Sequence, residues 1–226
     1  MQKKEAFWRV GLFLFVLMLV AGGFYFYRLQ TTVEPGELIR ETVKRAHQAR
    51  AYRYQVAAEY NVEGKRQIWS QVLGEKAAEN FHIKGTILGT PVEIFQIGRS
   101  TYTRDPVSEK WVILEGNDLT QQQVFWAEIN PLSNFQFKTI GNPKLLGTEK
   151  VGKRKCWVVE FRPEVESKYL EMWWKSFTYR FWVEKRSRML LKARATAENK
   201  NSPGTFLSLT VQLQDFNKKI EIRPPE

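Results

Sequence analysis

At Tyr52 the sequence takes up a period of two, and this restricts the fold more than any other feature of the chain. "YRYQVAAEYN" sets Tyr52, Tyr54, Val56, Ala58 and Tyr60 on one side of an extended chain and Arg53, Gln55, Ala57 and Glu59 on the other. After a turn at Glu63-Gly64-Lys65 come "RQIWSQVLGEK", "AAENFHIKG", "TPVEIFQIGRSTYTRD" and "KWVILE", each of strand length, joined by short turns bearing Gly, Asn or Asp. Strands joined in this way form hairpins, and hairpins in series form an antiparallel meander.

Before the first strand, "EPGELIRETVKRAHQARA" has the marks of a helix. Pro35 suits the first turn, acidic residues lead and basic ones trail, and Leu38, Ile39, Val43 and Ala46 share a face that should lie on a sheet. Between residues 118 and 137 the alternation stops, and "LTQQQVFWAEINPLSNFQF" reads as one or two short helices interrupted at Pro131. It resumes in "KLLGTEKVGKRKCWVVEFRP", with a bend at Gly147 and a turn at Gly152-Lys153. "EVESKYLEMWWKSF" reads as a further helix, because Val165, Tyr169, Met172 and Trp173 fall on one face. Next comes a hairpin, "TYRFWVEKRSRMLLKARATAE", turning at residues 184–188. In the closing segment Leu209, Val211 and Leu213 alternate with polar residues, and Ile220 and Ile222 resume after an Asp-Phe-Asn interruption that suits a bulge. Pro224 and Pro225 lack backbone donors and stop the pairing.

Residues 10–27 are eighteen consecutive uncharged, mostly apolar positions. As a helix they span about 27 Å, close to the hydrocarbon thickness of a bilayer. Lys3, Lys4 and Arg9 place the N-terminus in the cytoplasm, so everything after Arg28 is expected outside it. The expected organisation is a cytoplasmic tail (1–9), a transmembrane anchor or uncleaved signal (10–27), a tether (28–34) and one extracytoplasmic domain (35–226). Ala21 and Gly23 have the spacing of a signal-peptidase site, but the run continues through "FYFY", as an aromatic belt on a retained helix would. No cysteine follows it, so the lipid-attachment site of a lipoprotein is lacking.

Of the formal charge of +11, the first 27 residues hold Lys3, Lys4 and Arg9 against Glu5, which leaves +9 on the remainder. That excess favours anionic partners: nucleic acid, anionic lipid head groups or cell-wall polyanions. The Lys and Arg residues are dispersed, which argues against a nucleic-acid groove. Cys156 is the one cysteine and sits in an alternating stretch as a small hydrophobe, while His47 and His82 lack partners at ligand spacing. No metal and no cofactor are expected. Around Tyr102, Arg104 and Asp105 there is no carboxylate pair or nucleophile with a base, so the chain reads as a non-enzyme.

Several stretches, in their order along the chain, resemble the lipoprotein carrier superfamily of LolA/LolB-like and LppX/LprG-like proteins of the bacterial envelope. They are "IGRSTYTRDPVSEKWVILE", "INPLSNF", "GTEKVGKRKCWVVEF", "YRFWVEKRSRMLLKARA" and "LQDFNKKIEIRPP". The resemblance implies an α+β, mainly β fold: a strongly curved antiparallel sheet forming an open, incomplete β-barrel covered by helices, with an apolar cavity between. It also implies that the cavity takes a lipid or acyl-bearing, lipoprotein-like ligand. Some relatives instead sense misfolded envelope proteins, so the alternative is an envelope stress sensor or interaction module that binds a membrane protein partner. The missing attachment cysteine departs from the lipoprotein members, and a retained anchor would hold this chain at one bacterial cell membrane as a single-pass protein.

Candidate cavity residues are the aromatics Trp69, Phe81, Phe95, Trp111, Phe125, Trp126, Phe135, Trp157 and Trp173, all of which also suit ordinary core packing. Trp173 and Trp174 point about 100° apart on a helix, so one belongs at an edge, a membrane surface or a ligand mouth. Lys153, Arg154 and Lys155 at one expected hairpin tip, and Arg186 with Lys185 and Arg188 at another, are head-group candidates or solvated turns.

Overall fold

The computed structural model describes residues 33–116 and 126–225. The expected tail, the anchor, most of the tether and Phe125 lie outside the described residues. Among the described residues no helix is long and apolar enough to cross a membrane.

The first helix, α1 (Pro35–His47), carries Glu37 in its first turn and Lys44, Arg45 and His47 in its last, complementing the helix dipole. Six strands follow as a meander: β1 (Ala51–Val62), β2 (Lys65–Ala77), β3 (Asn80–Ile87), β4 (Thr90–Ile97), β5 (Ser100–Arg104) and β6 (Trp111–Glu115). A helical insert is made of α2 (Trp126–Ile129) and a 3-10 helix (Pro131–Phe135). After it come β7 (Phe137–Thr139), β8 (Lys144–Val151), β9 (Arg154–Phe161), β10 (Glu164–Val165), α3 (Lys168–Trp173), β11 (Trp174–Glu184), β12 (Leu190–Asn199) and β13 (Thr205–Gln214).

Eleven strands form one antiparallel sheet in the order β6-β5-β4-β3-β2-β1-β13-β12-β11-β9-β8, and β7 with β10 makes a separate two-stranded ribbon. The sheet is not closed into a barrel: among the described residues, β6 and β8 are its two edges. The last strand joins the first, so chain ends distant in sequence meet at the sheet's centre, with Val56 opposite Val211.

Cross-strand register fixes which residues face the helices. One row runs through Val56, Val211, Ala193, Phe181 and Val159 on five adjoining strands, and each is at most 1% exposed. On β12 the inward positions are Ala193, Ala195 and Ala197, small residues that let α1 approach the sheet. Leu38 and Ile39 of α1 are fully buried there, each such side chain contributing about 1.5–3 kcal/mol. Thr42 on the same face donates its hydroxyl to the Arg188 carbonyl at 3.2 Å. Gly74 is required beside β1: a Cβ there would lie 2.0 Å from Cζ of Tyr54, whose ring crosses the position.

Two expectations need correction. The helix read over "EVESKYLEMWWKSF" is only the six residues of α3. The Ser167 side chain caps it by accepting from the Leu170 N–H at 3.3 Å, Val165 belongs to the ribbon, and Trp174 has already joined the sheet opposite Asn199. Aromatic and β-branched residues here found strand partners, and pairing overrode the helical spacing. The final strand ends at Gln214, because Asp215 and Asn217 take positive φ (57° and 55°) and turn the chain, so Ile220 and Ile222 do not extend it.

Candidate functional site

The middle of the helix-covered face is filled by aromatic side chains. Phe135 of the 3-10 helix meets Phe181 at 5.2 Å and Tyr179 at 6.3 Å, both edge-on, and Phe137 meets Phe161 at 5.3 Å. Phe135, Phe161, Tyr179 and Phe181 are all at most 1% exposed. Two tyrosine hydroxyls tie the insert down: Tyr54 donates to the Ile129 carbonyl and Tyr179 to the Asn134 carbonyl, each at 3.1 Å. Burial pushes both phenols well above their ordinary range, so they remain donors. Ser70 adds a bond of 2.6 Å to the buried Glu128.

Open space lies at the margin of this core. A groove of about 760 Å³ runs between β9, β10, α3 and β11. Its floor includes Val165, Trp174 and Phe177, all at least nine-tenths buried, and Arg162, Lys175 and Lys200 stand around it. Glu164 and Glu171 also line it, but the Glu171 carboxylate is held by Lys138 at 2.6 Å and its carbonyl by Lys200. Trp174 stacks on Tyr60 at 5.6 Å, and Tyr60 meets Trp69 edge-on at 5.3 Å, which gives this end of the sheet an aromatic rim. Met172 and Trp173, 63% and 43% exposed, stand beside it on α3. A second groove of about 360 Å³ lies between α1 and the β7 segment, lined by Ile39, Val43, Phe135, Phe137 and Ile140 among others.

The β7–β10 ribbon is the wall between the two grooves. Glu164 and Val165 line the larger one, while Phe137 and the neighbouring Glu166 line the smaller. The ribbon is short: Glu164 pairs with Thr139 and Val165 with Phe137 across a register shift, and the Glu166 N–H donates to the Gln136 carbonyl at 3.1 Å.

The aromatics singled out in the sequence divide between the two faces. Phe81, Phe135 and Trp157 face the helices; Trp69 is the extra residue where β1 and β2 shift register, and it joins the rim. Phe95 and Trp111 stand on the opposite face, where Phe95 stacks on His82 at 3.9 Å and meets Trp111 edge-on at 5.5 Å. Alternation in β4 turns Gln96 inward in place of Phe95, and Gln96 is satisfied there by the Thr101 hydroxyl at 2.7 Å and the Gly98 carbonyl at 3.0 Å. Glu93, next to His82, is drawn on by Lys84 at 3.3 Å and Arg104 at 3.6 Å. Trp126 begins α2, and its side chain, like Phe125, is outside the described residues. Trp173 is the exposed member of its pair and Trp174, 7% exposed, the buried one.

The two basic hairpin tips, separate in sequence, are neighbours in space. The Lys185 N–H donates to the Lys155 carbonyl at 3.0 Å, and Arg154 lies 3.7 Å from Glu184. Lys185 and Arg188 lie over the Trp157 ring, 5.5 and 5.7 Å from its centroid. Cys156 beside them is fully buried with Val158, Trp182 and Leu191, and burial pushes its thiol up, which keeps it a small hydrophobe. Sequence reasoning missed Arg162, Val165, Phe177 and Lys200, which come from three separate segments. The tryptophan pair was the one signal pointing toward their groove.

No protein-family model matches the chain, and no curated protein matches it. Solved structures do. LprF from Mycobacterium bovis has a TM-score of 0.57 at 11% identity, over 84% of this chain and 96% of that one. Lipoprotein LppX from Mycobacterium tuberculosis has a TM-score of 0.48 at 14% identity, over 83% and 97%. A LolA superfamily protein from Nitrosomonas europaea has 0.37 at 12%, over 84% and 96%. The likeness to LprF is one of fold, and at that level it meets the resemblance read from the sequence.

Proposed function

We propose that this chain, which has the fold of LprF, is a membrane-anchored extracytoplasmic domain that takes a lipid or another acyl-bearing molecule in the groove beside β10 and α3. The observation that carries this reading is the chemistry of that groove: a buried apolar floor of Val165, Trp174 and Phe177 under a rim of Arg162, Lys200 and Lys175, the last paired with Glu198 at 3.7 Å, with Glu164 as the acidic member of the rim. Such a lining suits an amphiphile with an apolar chain and an anionic head. Its volume of about 760 Å³ is that of a small-molecule site, ~300–1,000 Å³. Ten methylenes buried at ~0.8 kcal/mol each give roughly 8 kcal/mol, or micromolar affinity before ordering costs. The thin β7–β10 wall allows a longer chain to reach the second groove if the ribbon moves aside.

Native mass spectrometry of the full chain, released from mild detergent, tests this. The reading expects a mass increment from co-purified lipid, reduced by Arg162→Glu with Lys200→Glu, which reverses two of the charges around the groove. An unliganded protein that also fails to take up added phospholipid overturns it.

One observation favours a protein partner instead. The edge strands expose aliphatic residues, Val112, Ile113 and Leu114 on β6 (44%, 55% and 43%) and Leu145 and Leu146 on β8 (42% and 49%). An apolar edge strand is a template for strand addition by another chain. Crosslinking in intact cells that recovers one stoichiometric membrane protein and no lipid would select this second reading.

A further inference from the structure

The β8–β9 and β11–β12 tips bring seven cations to one end of the sheet: Lys150, Lys153, Arg154, Lys155, Lys185, Arg186 and Arg188. The carboxylates nearby neutralise few of them. Arg154 is shared with Glu184, Arg188 with Glu41 of α1 at 2.7 Å, and Glu149 accepts from the Trp182 indole at 2.7 Å. Among the described residues, Lys150, Lys153, Lys155, Lys185 and Arg186 form no ion pair, and all five are exposed.

The arrangement works against the sheet itself. Lys150 and Lys155 are direct cross-strand partners, and like charges in that position are destabilising. Lys185 is drawn next to Lys155 by a backbone bond, which crowds the charges further. An exposed cluster that raises the energy of its own hairpin is relieved by an anionic surface. The cations sit exposed on two neighbouring tips at one end of the sheet, so a flat partner that meets both tips at once fits better than a strand of nucleic acid. Seven residues separate the expected membrane span from Pro35, so a bilayer is the polyanion such a chain meets first.

We propose that these paired hairpin tips dock on the surface of a bilayer rich in anionic lipid. The inference does not depend on the groove, which lies toward the other end of the strands. Each Lys or Arg close to such a surface strengthens the contact about fivefold, and the attraction fades within a Debye length of ~8 Å at physiological salt.

Hydrogen exchange of the full chain in nanodiscs tests the proposal, comparing phosphatidylglycerol mixtures with pure phosphatidylcholine. Exchange in residues 150–156 and 183–190 should slow several-fold in the anionic discs, and the protection should vanish at high salt and in the triple variant Lys153→Glu, Lys155→Glu, Arg186→Glu. An unchanged melting temperature shows that this variant remains folded; a further triple variant to Gln covers the case in which charge reversal unfolds the tips. Equal exchange in both discs overturns the proposal. So does equal protection by soluble polyglutamate in phosphatidylcholine discs, which would mark a general polyanion surface. Lipid co-purification is read separately, so failure here leaves the groove untouched, and the converse holds.

Discussion

Phe135→Ala tests whether the helical insert is clamped to the sheet as the structure shows. The ring is 1% exposed and makes two edge-on aromatic contacts, with Phe181 at 5.2 Å and Tyr179 at 6.3 Å. A buried Phe→Ala change costs about 3–5 kcal/mol, the spread reflecting how far the site collapses into the void. Collapse is resisted here, because the backbone is pinned before the ring by Tyr179 to the Asn134 carbonyl and by Tyr54 to the Ile129 carbonyl, and after it by the Glu166 N–H to the Gln136 carbonyl. The loss therefore belongs in the upper part of that range, ~4–5 kcal/mol, which for a domain of this size lowers the melting temperature by roughly 8–20 °C. Urea and thermal denaturation in mild detergent, followed by tryptophan fluorescence, measure it. A loss below about 1 kcal/mol would refute the packing. Because Phe135 is in the filled core and the larger groove lies beside it, co-purified lipid should persist in whatever fraction stays folded.

Three further outcomes follow from the geometry. Gly74→Ala forces the Tyr54 ring away from its Cβ and from the Ile129 carbonyl, and overpacking of this kind should cost about 1–3 kcal/mol in a denaturant melt; an unchanged midpoint would contradict the contact. Lys218 and then Arg53 hold the Asp215 carboxyl below its ordinary range, so its stabilisation is complete above the unfolded value and disappears as pH falls through the folded one. Asp215→Asn should thus lower stability at neutral pH and narrow the further loss below about pH 4, whereas parallel curves for the two proteins would show no linkage. A disulfide from Thr139→Cys with Glu164→Cys, across a paired position of the ribbon, should slow the uptake of long acyl chains and recover on reduction, while equal uptake when oxidised would mean that the ribbon is not a moving wall.

Period-two patterning is local, and it located most of the strands and hairpin turns, including the turn at residues 184–188, but it ran β4 and β5 together across the turn at Gly98-Arg99 and missed the short β7 and β10. The helix at Pro35 was equally legible, since its charge order and apolar face lie within one segment. Legibility failed where tertiary pairing decided the outcome. Trp174 reads as helical from its neighbours, yet it extends because Asn199 lies opposite. Phe95 looked like a core residue by size, but the phase of β4, set by its pairing with β3, gave the inward place to Gln96. The groove was least visible: Arg162, Phe177 and Lys200 lie on three strand ends or turns, and only the sheet order makes them neighbours. By contrast, the basic tips were each plain in the sequence, and the pairing of β9 with β11 put them side by side.

The most direct test of the central claim is photolabelling of the full chain with a phospholipid that carries a diazirine along its acyl chain, followed by peptide mapping. Label concentrated in residues 162–178 and near Lys200, and competed away by unlabelled phospholipid, is the predicted result. Label spread over the sheet edges, or insensitive to Arg162→Glu with Lys200→Glu, would contradict the groove as the binding site.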